Sequence, residues 1–486
     1  MEERKNYNSI LKASALFGGV QLFQVLIQLI RSKIVAVLLG PTGLGILGLF
    51  NGTITLLGSI TNFGLNTTLI NELSSAENIN QKEVLSTKIY ILKKTLIITG
   101  LIGLILMVVF SSLLSDLTFG NYNYTFSFIW LSFSLLLNQL TSGNLAILQG
   151  YRFVKLLAKA NIFGSIFGLI FSIPLYYFWG KAGIVSSITI YAISTYLFSW
   201  FYSRRISSSN PSLSTKELIR KGLSYLSVGL FLGLSSLVTI FANYLISLFI
   251  ARFGSVEELG LYSAGIAITT NYTGLIFSAF ATDYHPRLAS LSDSNSIEQA
   301  VNQQAEIALI ILSPLIITFL VFGEYIINLL YSDAFTMIKP MICWILLGAY
   351  FKLFSWAISY VFIARGKIKL FFWNELTGNI YVLVLGIAGF YFFGLVGLGY
   401  SFLISYIIYS FQVSFLAQKF FGLSYKFTFL KSFVFNLFLA IICFFITSNT
   451  TQKTGLIAGS IVTFIVFILS YLELNRKVGL KLLWKF

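Results

Sequence analysis

Long apolar segments follow one another through almost the whole of this 486-residue chain. Each is close to the roughly 20 residues that a helix needs to cross the hydrocarbon core of a membrane. Only 10% of the residues are Asp, Glu, Lys or Arg, compared with about 25% in an ordinary soluble domain. Since 57% of the residues are hydrophobic, a water-soluble globule and a disordered chain are both excluded. The sequence therefore predicts an all-α integral membrane protein with fourteen spans, near 11–39, 43–69, 89–114, 125–148, 158–179, 182–203, 222–251, 259–282, 304–330, 337–363, 370–393, 395–418, 428–447 and 455–473.

Basic residues are distributed unevenly between the connections of these spans. With a cytoplasmic N-terminus, 26 of the 33 basic residues fall at the inner side. Four fall at the outer side, namely Lys181, Arg252, Lys339 and Lys453. This asymmetry follows the positive-inside rule and predicts that both termini are cytoplasmic. The net charge of +16 is thus mainly an orientation signal. No connection is long enough for a soluble basic domain that would bind nucleic acid.

Glycine-containing turns recur in the chain at one constant offset, which is the separation between Gly40 and Gly254. Gly40 follows span 1 and Gly254 follows span 7. Gly180 and Gly394, at the same separation, lie between spans 5 and 6 and between spans 11 and 12. Six spans separate the two copies, so both copies have the same orientation, as in transporters with parallel repeats. We expect an N-terminal lobe in 1–210 and a C-terminal lobe in 211–425. Two further helices and a basic cytoplasmic tail follow in 426–486.

Polar side chains recur on one face of several predicted spans. In span 1, for example, Gln21, Gln24 and Gln28 share an arc of about 80° with Arg31 at the helical step of 100° per residue. Amides that face hydrocarbon lose their hydrogen bonds, so they either bond neighbouring helices or line water. Polar faces on equivalent spans of the two copies favour a hydrophilic cavity shared by the two lobes. Its candidate lining residues are Gln21, Gln24, Gln28, Asn51, Asn62, Asn138, Asn243 and Asn271.

Three basic residues, Arg31, Lys33 and Lys352, fall inside predicted spans, and Arg252 ends span 7. Charge within a span is costly and indicates a functional site by default. Lys33 and Arg252 could instead extend to the membrane surface, whereas Lys352 is too central for that. Glu375 is a candidate partner of Lys352, and such a pair would be either structural or involved in proton coupling.

A cationic cavity lined by amides suits an anionic substrate that carries sugars. Arg and Lys bind phosphate oxygens, and Asn and Gln bind hydroxyl groups. A single histidine, His285, and two cysteines in apolar stretches, Cys343 and Cys443, do not suggest a metal site. We therefore expect a transporter without cofactor or metal, and not an enzyme.

Several short motifs resemble those of Wzx-type flippases of lipopolysaccharide and enterobacterial common antigen. They are KIVAVLLGPTGLG at 33–45, QGYR at 149–152, HPRL at 285–288, FTM at 335–337 and RG at 365–366. The resemblance covers about residues 10–420. Lys33, Lys352 and Glu375 match charged positions of that family, whereas Ala349 stands where some relatives have an acidic residue.

The resemblance places the chain in the multidrug/oligosaccharidyl-lipid/polysaccharide exporter superfamily. It implies alternating access and translocation of undecaprenyl-pyrophosphate-linked oligosaccharide, such as an O-antigen repeat unit, to the periplasmic leaflet of the bacterial inner membrane. Membrane lipids, a polysaccharide polymerase and a chain-length regulator are the further partners it implies. Two alternatives remain. A drug or metabolite antiporter of the same superfamily would favour an acidic cavity, and a polymerase or ligase would need a long catalytic outer loop.

Overall fold

The computed structural model describes residues 2–62, 64–74, 82–151, 153–204, 215–291, 293–449 and 452–478. Within these ranges every regular element is a helix, because only helices satisfy the backbone of such apolar segments internally in a membrane. The all-α fold predicted from the sequence is therefore confirmed. The helices are α1 (Glu2–Asn62), α2 (Leu65–Ser74), α3 (Lys82–Val109), α4 (Ser111–Phe119), α5 (Thr125–Gly150), α6 (Val154–Trp179), α7 (Gly183–Ser203), α8 (Thr215–Phe253), α9 (Val256–Ser290), α10 (Ser294–Leu330), α11 (Lys339–Ala364), α12 (Ile368–Phe421), α13 (Phe427–Asn449) and α14 (Gln452–Val478).

Ten helical stretches of the described residues are long and apolar enough to cross a membrane. Three of them, Leu22–Asn62, Val154–Ser203 and Ile368–Phe421, have 41, 50 and 54 residues. At about 1.5 Å per residue, 50 residues would extend about 75 Å, far beyond the roughly 30 Å of a hydrocarbon core. Each of the three is therefore long enough for two crossings. The number of fourteen spans stays a prediction.

Single glycines interrupt these three long stretches at the positions where the sequence predicts turns. Gly40 has φ 68° and ψ −169° within α1, and Gly394 has φ 59° and ψ −144° within α12. Gly180 has φ 54° and ψ −132° and begins a short 3-10 turn (Gly180–Ala182) before α7. A positive φ is strained for residues with a side chain, so glycine permits the chain to change direction at one residue.

The predicted repeat is visible in the local backbone. Gly180 and Gly394, which are equivalent under the repeat, have nearly the same dihedral angles. A Cβ on Gly183 would lie 2.1 Å from the Leu175 carbonyl oxygen, and a Cβ on Gly397 would lie 1.9 Å from that of Gly389. Gly183 and Gly397 are related by the same offset, as are Leu175 and Gly389, so the repeat of these junctions is confirmed. The chain differs at Gly254, which lacks the positive φ of Gly40, because two residues separate α8 from α9 there.

The helices form two compact units, Met1–Gly260 and Leu261–Phe486. In the first unit α7 packs along α5 and α6, α3 packs along α5, and α1 contacts α6 and α8. A small core joins α2, α3 and α5 through Leu69, Leu92 and Ile147. The lobe limits at 210 and 425 describe the sequence repeat and stay a prediction.

In the second unit α10 and α11 are the most buried helices, and α11 packs along α12. The two C-terminal helices α13 and α14 pack against α10. Gly459 of α14 allows this approach, because a Cβ there would lie 2.8 Å from a methyl group of Val321. An ion pair between Lys477 and Glu306 joins α14 and α10 at one end.

Candidate functional site

Arg31 lies in the first arm of α1, nine residues before the bend at Gly40. Its guanidinium carbon is 4.4 Å from the centroid of the Tyr191 ring, a distance typical of a cation–π contact. Its Nη2 donates a long hydrogen bond of 3.4 Å to the Tyr176 hydroxyl. The Nε atom is buried and has no hydrogen-bond partner. The aromatic rings of α6 and α7 thus orient this cation without neutralising its charge.

Among the residues that the structure describes, no carboxylate forms an ion pair with Arg31. A half-buried cation without an acidic partner is costly in a membrane span. The Nε is buried, whereas Nη2 is bonded only weakly to Tyr176 and keeps donor capacity for a ligand. Chemically, this arrangement can accept an anion that offers several oxygen atoms.

The other predicted positions of the first arm of α1 differ in exposure. Gln24 and Lys33 are half-buried, and Gln28 is exposed. Gln24 and Gln28 lie within about 60° of Arg31 around the helix, whereas Lys33 points roughly to the opposite side. The side chain of Gln21 lies outside the described part of the chain.

The predicted amides beyond the first arm of α1 keep accessible surface. Asn138 on α5 and Asn243 on α8 are exposed, and Asn51 on α1 and Asn271 on α9 are half-buried. The Asn243 amide nitrogen donates to the carbonyl of Thr239 in its own helix at 2.9 Å. Asn62 has a buried amide oxygen without a hydrogen-bond donor. None of these amides is fully used in bonds between helices.

Arg252 has a specific contact at the end of α8. Its Nε donates to the carbonyl of Leu117 at 3.1 Å, and its Nη2 donates to the carbonyl of Asp116. These carbonyls belong to the last turn of α4, where a cation is favoured by the helix dipole. The contact gives Arg252 a structural role, and its expected role as a substrate ligand stays a prediction.

In the second unit, Lys352 of α11 lies between two aromatic rings. Its Nζ is 5.7 Å from the centroid of Phe277 and 5.6 Å from that of Tyr406. The expected partner Glu375 is near enough for the two charges to interact. However, they form no direct ion pair in the described part of the chain. Lys352 is therefore held by aromatic faces, as Arg31 is in the first unit.

Glu375 belongs to a hydrogen-bonded network between the two arms of α12. The Tyr409 hydroxyl donates to its Oε1 at 2.5 Å and accepts from the Asn374 amide at 2.7 Å. Gln412 continues the network, since its amide nitrogen donates to Asn374 and Thr377 at 2.8 and 2.6 Å. A buried network of this kind fixes the position of the acid.

Sequence reasoning identified Glu375 and missed the rest of this network. Its members do have a periodic signal. Asn374, Thr377 and Tyr381, whose hydroxyl donates to Gln412 at 2.7 Å, recur every three or four residues in the first arm of α12, and Tyr409 and Gln412 are three residues apart in the second. Such spacing places each set on one helix face. The signal was obscured because these spans are also rich in aromatic residues.

Taken together, the described helices form a multi-pass membrane fold with cations inside its apolar stretches. The fold resembles that of a lipid II flippase, MurJ, in an inward closed conformation, with a TM-score of 0.72, 15% identity, and coverage of 96% of this chain and 99% of that one. It also resembles a multidrug resistance MATE family transporter of the MOP superfamily in an inward-facing conformation. There the TM-score is 0.68 at 15% identity, with 82% of this chain and 95% of that one covered.

The sequence is also similar to the lipid III flippase of Escherichia coli strain K12. The two are 23% identical over 411 residues, which cover 82% of this chain and 96% of that protein. The model of the polysaccharide biosynthesis protein family matches residues 34–340, more than half of the chain. The chain belongs to this family. The resemblance inferred from the motifs is thereby confirmed.

Proposed function

We propose that this protein is a flippase that moves undecaprenyl-pyrophosphate-linked oligosaccharide, such as an O-antigen repeat unit, across the bacterial inner membrane by alternating access. The names of its relatives support this class of cargo, because the proteins of similar sequence and fold include flippases of lipid III and lipid II. The excess of basic residues at the predicted inner side supports cytoplasmic termini.

The observation that carries the proposal is the environment of Arg31. Its guanidinium rests on Tyr191 and has a buried Nε without a partner. A pyrophosphate would supply acceptor oxygens to the terminal nitrogens of the guanidinium, of which Nη2 has only a long bond to Tyr176, and guanidinium groups bind phosphates through paired hydrogen bonds. The tyrosines orient the planar group without competing for its charge.

The exposed amides support the sugar part of the substrate. Gln28, Asn138 and Asn243 keep accessible side chains on apolar helices. Amides in contact with lipid would leave hydrogen bonds unmade, so we infer that these side chains face water or substrate. Amides can both donate to and accept from the hydroxyl groups of a glycan.

For the second unit we propose that Lys352 adds a second cation for the substrate and that Glu375 couples transport to the movement of an ion. Lys352 lies on aromatic faces rather than in a direct pair. Glu375 is oriented by Tyr409. Protonation or deprotonation of this acid would change the balance of charge around Lys352.

The fold similarity to a multidrug resistance transporter supports a second candidate, a drug or metabolite antiporter. The charges argue against it. A cationic cargo would be repelled by Arg31 and Lys352, neither of which forms an ion pair with a carboxylate among the described residues.

Leaflet-resolved analysis of lipid-linked glycans in a strain without its own flippase tests the proposal. Arg31→Ala should lower delivery of the glycan to the periplasmic leaflet at least about tenfold, since a hydrogen bond to a charged group contributes about 1.5–3 kcal/mol. Arg31→Lys should recover part of the activity. Arg204→Ala is the matched control, because Arg204 also rests on an aromatic ring, that of Trp200, at 4.9 Å, but lies at the end of α7.

Two results would contradict the proposal. Normal delivery by Arg31→Ala at normal protein abundance would remove Arg31 from the substrate site. An equal loss in Arg204→Ala would indicate a general effect of lost positive charge. The roles of Lys352 and Glu375 are separated by a double neutral variant. If they act only as a pair, Lys352→Gln with Glu375→Gln restores transport, whereas a substrate ligand at Lys352 does not allow this rescue.

A further inference from the structure

A pocket of about 580 Å³ lies in the first unit, apart from Arg31. It is bounded by the second arm of α1, the segment before α5, the start of α5, and the turn between α6 and α7. This volume is within the range of about 300–1,000 Å³ that is usual for small-molecule sites. Its lining contains none of the residues proposed to act in transport.

The pocket lies at the predicted outer ends of its helices, beside a group of exposed aromatic rings. Tyr177, Phe178 and Trp179 at the end of α6 are 70%, 74% and 62% exposed. Phe126, at the pocket itself, is 71% exposed. Exposed aromatic side chains concentrate at the level of the lipid headgroups. We therefore infer that the pocket opens at the membrane–water interface.

The lining of the pocket combines one cation with neutral donors and apolar walls. Lys181 is the only charged residue that lines it, and Asn123, Ser127 and Ser186 provide an amide and two hydroxyl groups. Lys181 is exposed, and among the residues that the structure describes it has no ion-pair partner. The rest of the lining is mainly aromatic and aliphatic, with Trp130 reaching toward the surface.

We propose that this pocket binds the headgroup of an anionic phospholipid from the outer leaflet. The phosphate diester pairs with the Lys181 ammonium group. The headgroup hydroxyls bond Asn123, Ser127 and Ser186, and the acyl chains lie along Trp130 and Phe126. A lipid-borne phosphate could also come from a lipid-linked glycan. One ammonium group at the rim suits the single charge of a phosphate diester better than a pyrophosphate, for which Arg31 offers a planar fork.

Native mass spectrometry of the purified full-length protein tests the site without any transport measurement. The protein is titrated with phosphatidylglycerol or phosphatidylcholine of the same acyl chains. Lys181→Gln should weaken retention of phosphatidylglycerol about fivefold at low salt, since one surface lysine contributes about 1 kcal/mol toward anionic lipids. Lys181→Arg should retain most of the binding. Phosphatidylcholine binding should be weak and unchanged.

Lys453→Gln is the matched control, because Lys453 is another exposed lysine at the predicted outer side and does not line the pocket. The proposal is overturned if Lys181→Gln retains phosphatidylglycerol as the unmodified protein does, or if Lys453→Gln loses as much. Equal retention of the two phospholipids also overturns it. Stronger retention of undecaprenyl-pyrophosphate-linked glycan, lost in Lys181→Gln, would assign the pocket to the transport substrate instead.

Discussion

The hydrogen bond between Tyr409 and Glu375 makes a quantitative prediction about the second unit. Tyr409 is 8% exposed, and its hydroxyl donates to the carboxylate at 2.5 Å and accepts from Asn374 at 2.7 Å. The bond from Tyr409 is the one hydrogen bond that the described residues give to the Glu375 side chain. Tyr409→Phe removes the hydroxyl and keeps the ring, which packs against Gly378. The change therefore tests the polar contact without creating a large cavity.

The expected cost follows from the two lost contacts. A buried group left without its partner costs about 1–3 kcal/mol, and more when it is charged. Hydrogen bonds between membrane helices contribute less on average, about 0.6 kcal/mol with a maximum near 1.7. For one bond to an acid and one to an amide, we expect a loss of about 2 kcal/mol in the free energy of opening the second unit. That corresponds to an increase of about thirtyfold in its open population.

Thiol labelling can measure this population, because the two cysteines of the chain are both in the second unit. Cys343 and Cys443 are 4% and 0% exposed, so a thiol reagent reacts only after local or global opening. The labelling rate of Tyr409→Phe should rise about thirtyfold relative to the unmodified protein. Tyr391→Phe is the control on the same helix, since Tyr391 is 69% exposed and should label at the original rate.

The origin of the effect can be separated with a second change. In a Glu375→Gln background the lost contact is between neutral groups, so Tyr409→Phe should cost only about 0.5–1.5 kcal/mol. An unchanged labelling rate in Tyr409→Phe, with helix content retained, would refute the reasoning. It would mean that water or another residue satisfies Glu375 and that Tyr409 does not position it.

Other predictions concern packing at the repeat and in the first unit. Gly183→Ala and Gly397→Ala should each lower the yield of folded protein in size-exclusion chromatography, because a Cβ would lie 2.1 and 1.9 Å from a carbonyl oxygen and overpacking costs about 1–3 kcal/mol. Gly58→Ala, with nothing within 4 Å, should leave the yield unchanged. Tyr244→Phe should lower the thermal midpoint of the first unit, since its buried hydroxyl bonds Thr oxygens at 2.9 and 3.2 Å. Tyr177→Phe, at 70% exposure, should not.

The sequence predicts where helices change direction better than how they do so. Turns were expected at 40–42, between spans 1 and 2, and at Gly394, between spans 11 and 12, because glycine interrupts the apolar pattern there. In the structure, one glycine of positive φ, Gly40 or Gly394, separates the two helical arms at each of these positions. In a membrane, backbone groups must be satisfied within the helix, so the shortest interruption is favoured. Hydropathy alone cannot separate a short loop from a bend at one residue.

The candidate residues on a single helix were predictable, but their partners were not. The amide stripe that ends at Arg31 follows from the helical period of span 1. Its contacts, Tyr176 and Tyr191, belong to α6 and α7 and are remote from α1 in sequence, and no periodic pattern relates them to α1. For the same reason the acid at Glu375 was identified from its charge, whereas its contact with Tyr409 depends on the bend of α12.

Residues at equivalent positions of the two repeat copies differ in charge. At the offset that relates Gly180 to Gly394, Lys352 is equivalent to Asn138, and Glu375 is equivalent to Asn161. The first copy therefore has two neutral amides where the second has a cation and an acid. The copies share the backbone of the Gly180 and Gly394 junctions, but they do not share these charges. The repeat therefore predicts which residues of the two copies are equivalent, but it does not predict that they carry the same charge.

Arg31 shows the same asymmetry in the opposite direction, since its equivalent in the second copy is Leu245. Within the described residues it has no acid whose titration could compensate its charge, unlike Lys352 beside Glu375. Apart from its contacts with Tyr191 and Tyr176, the cost of keeping Arg31 in a span is therefore the same in every protonation state, and a bound anion would lower it. Under the roles proposed for the second unit, Glu375 would balance the charge of Lys352 when no substrate is present. Substrate affinity should therefore depend on Arg31 at all pH values, whereas the contribution of Lys352 should change with the protonation of Glu375.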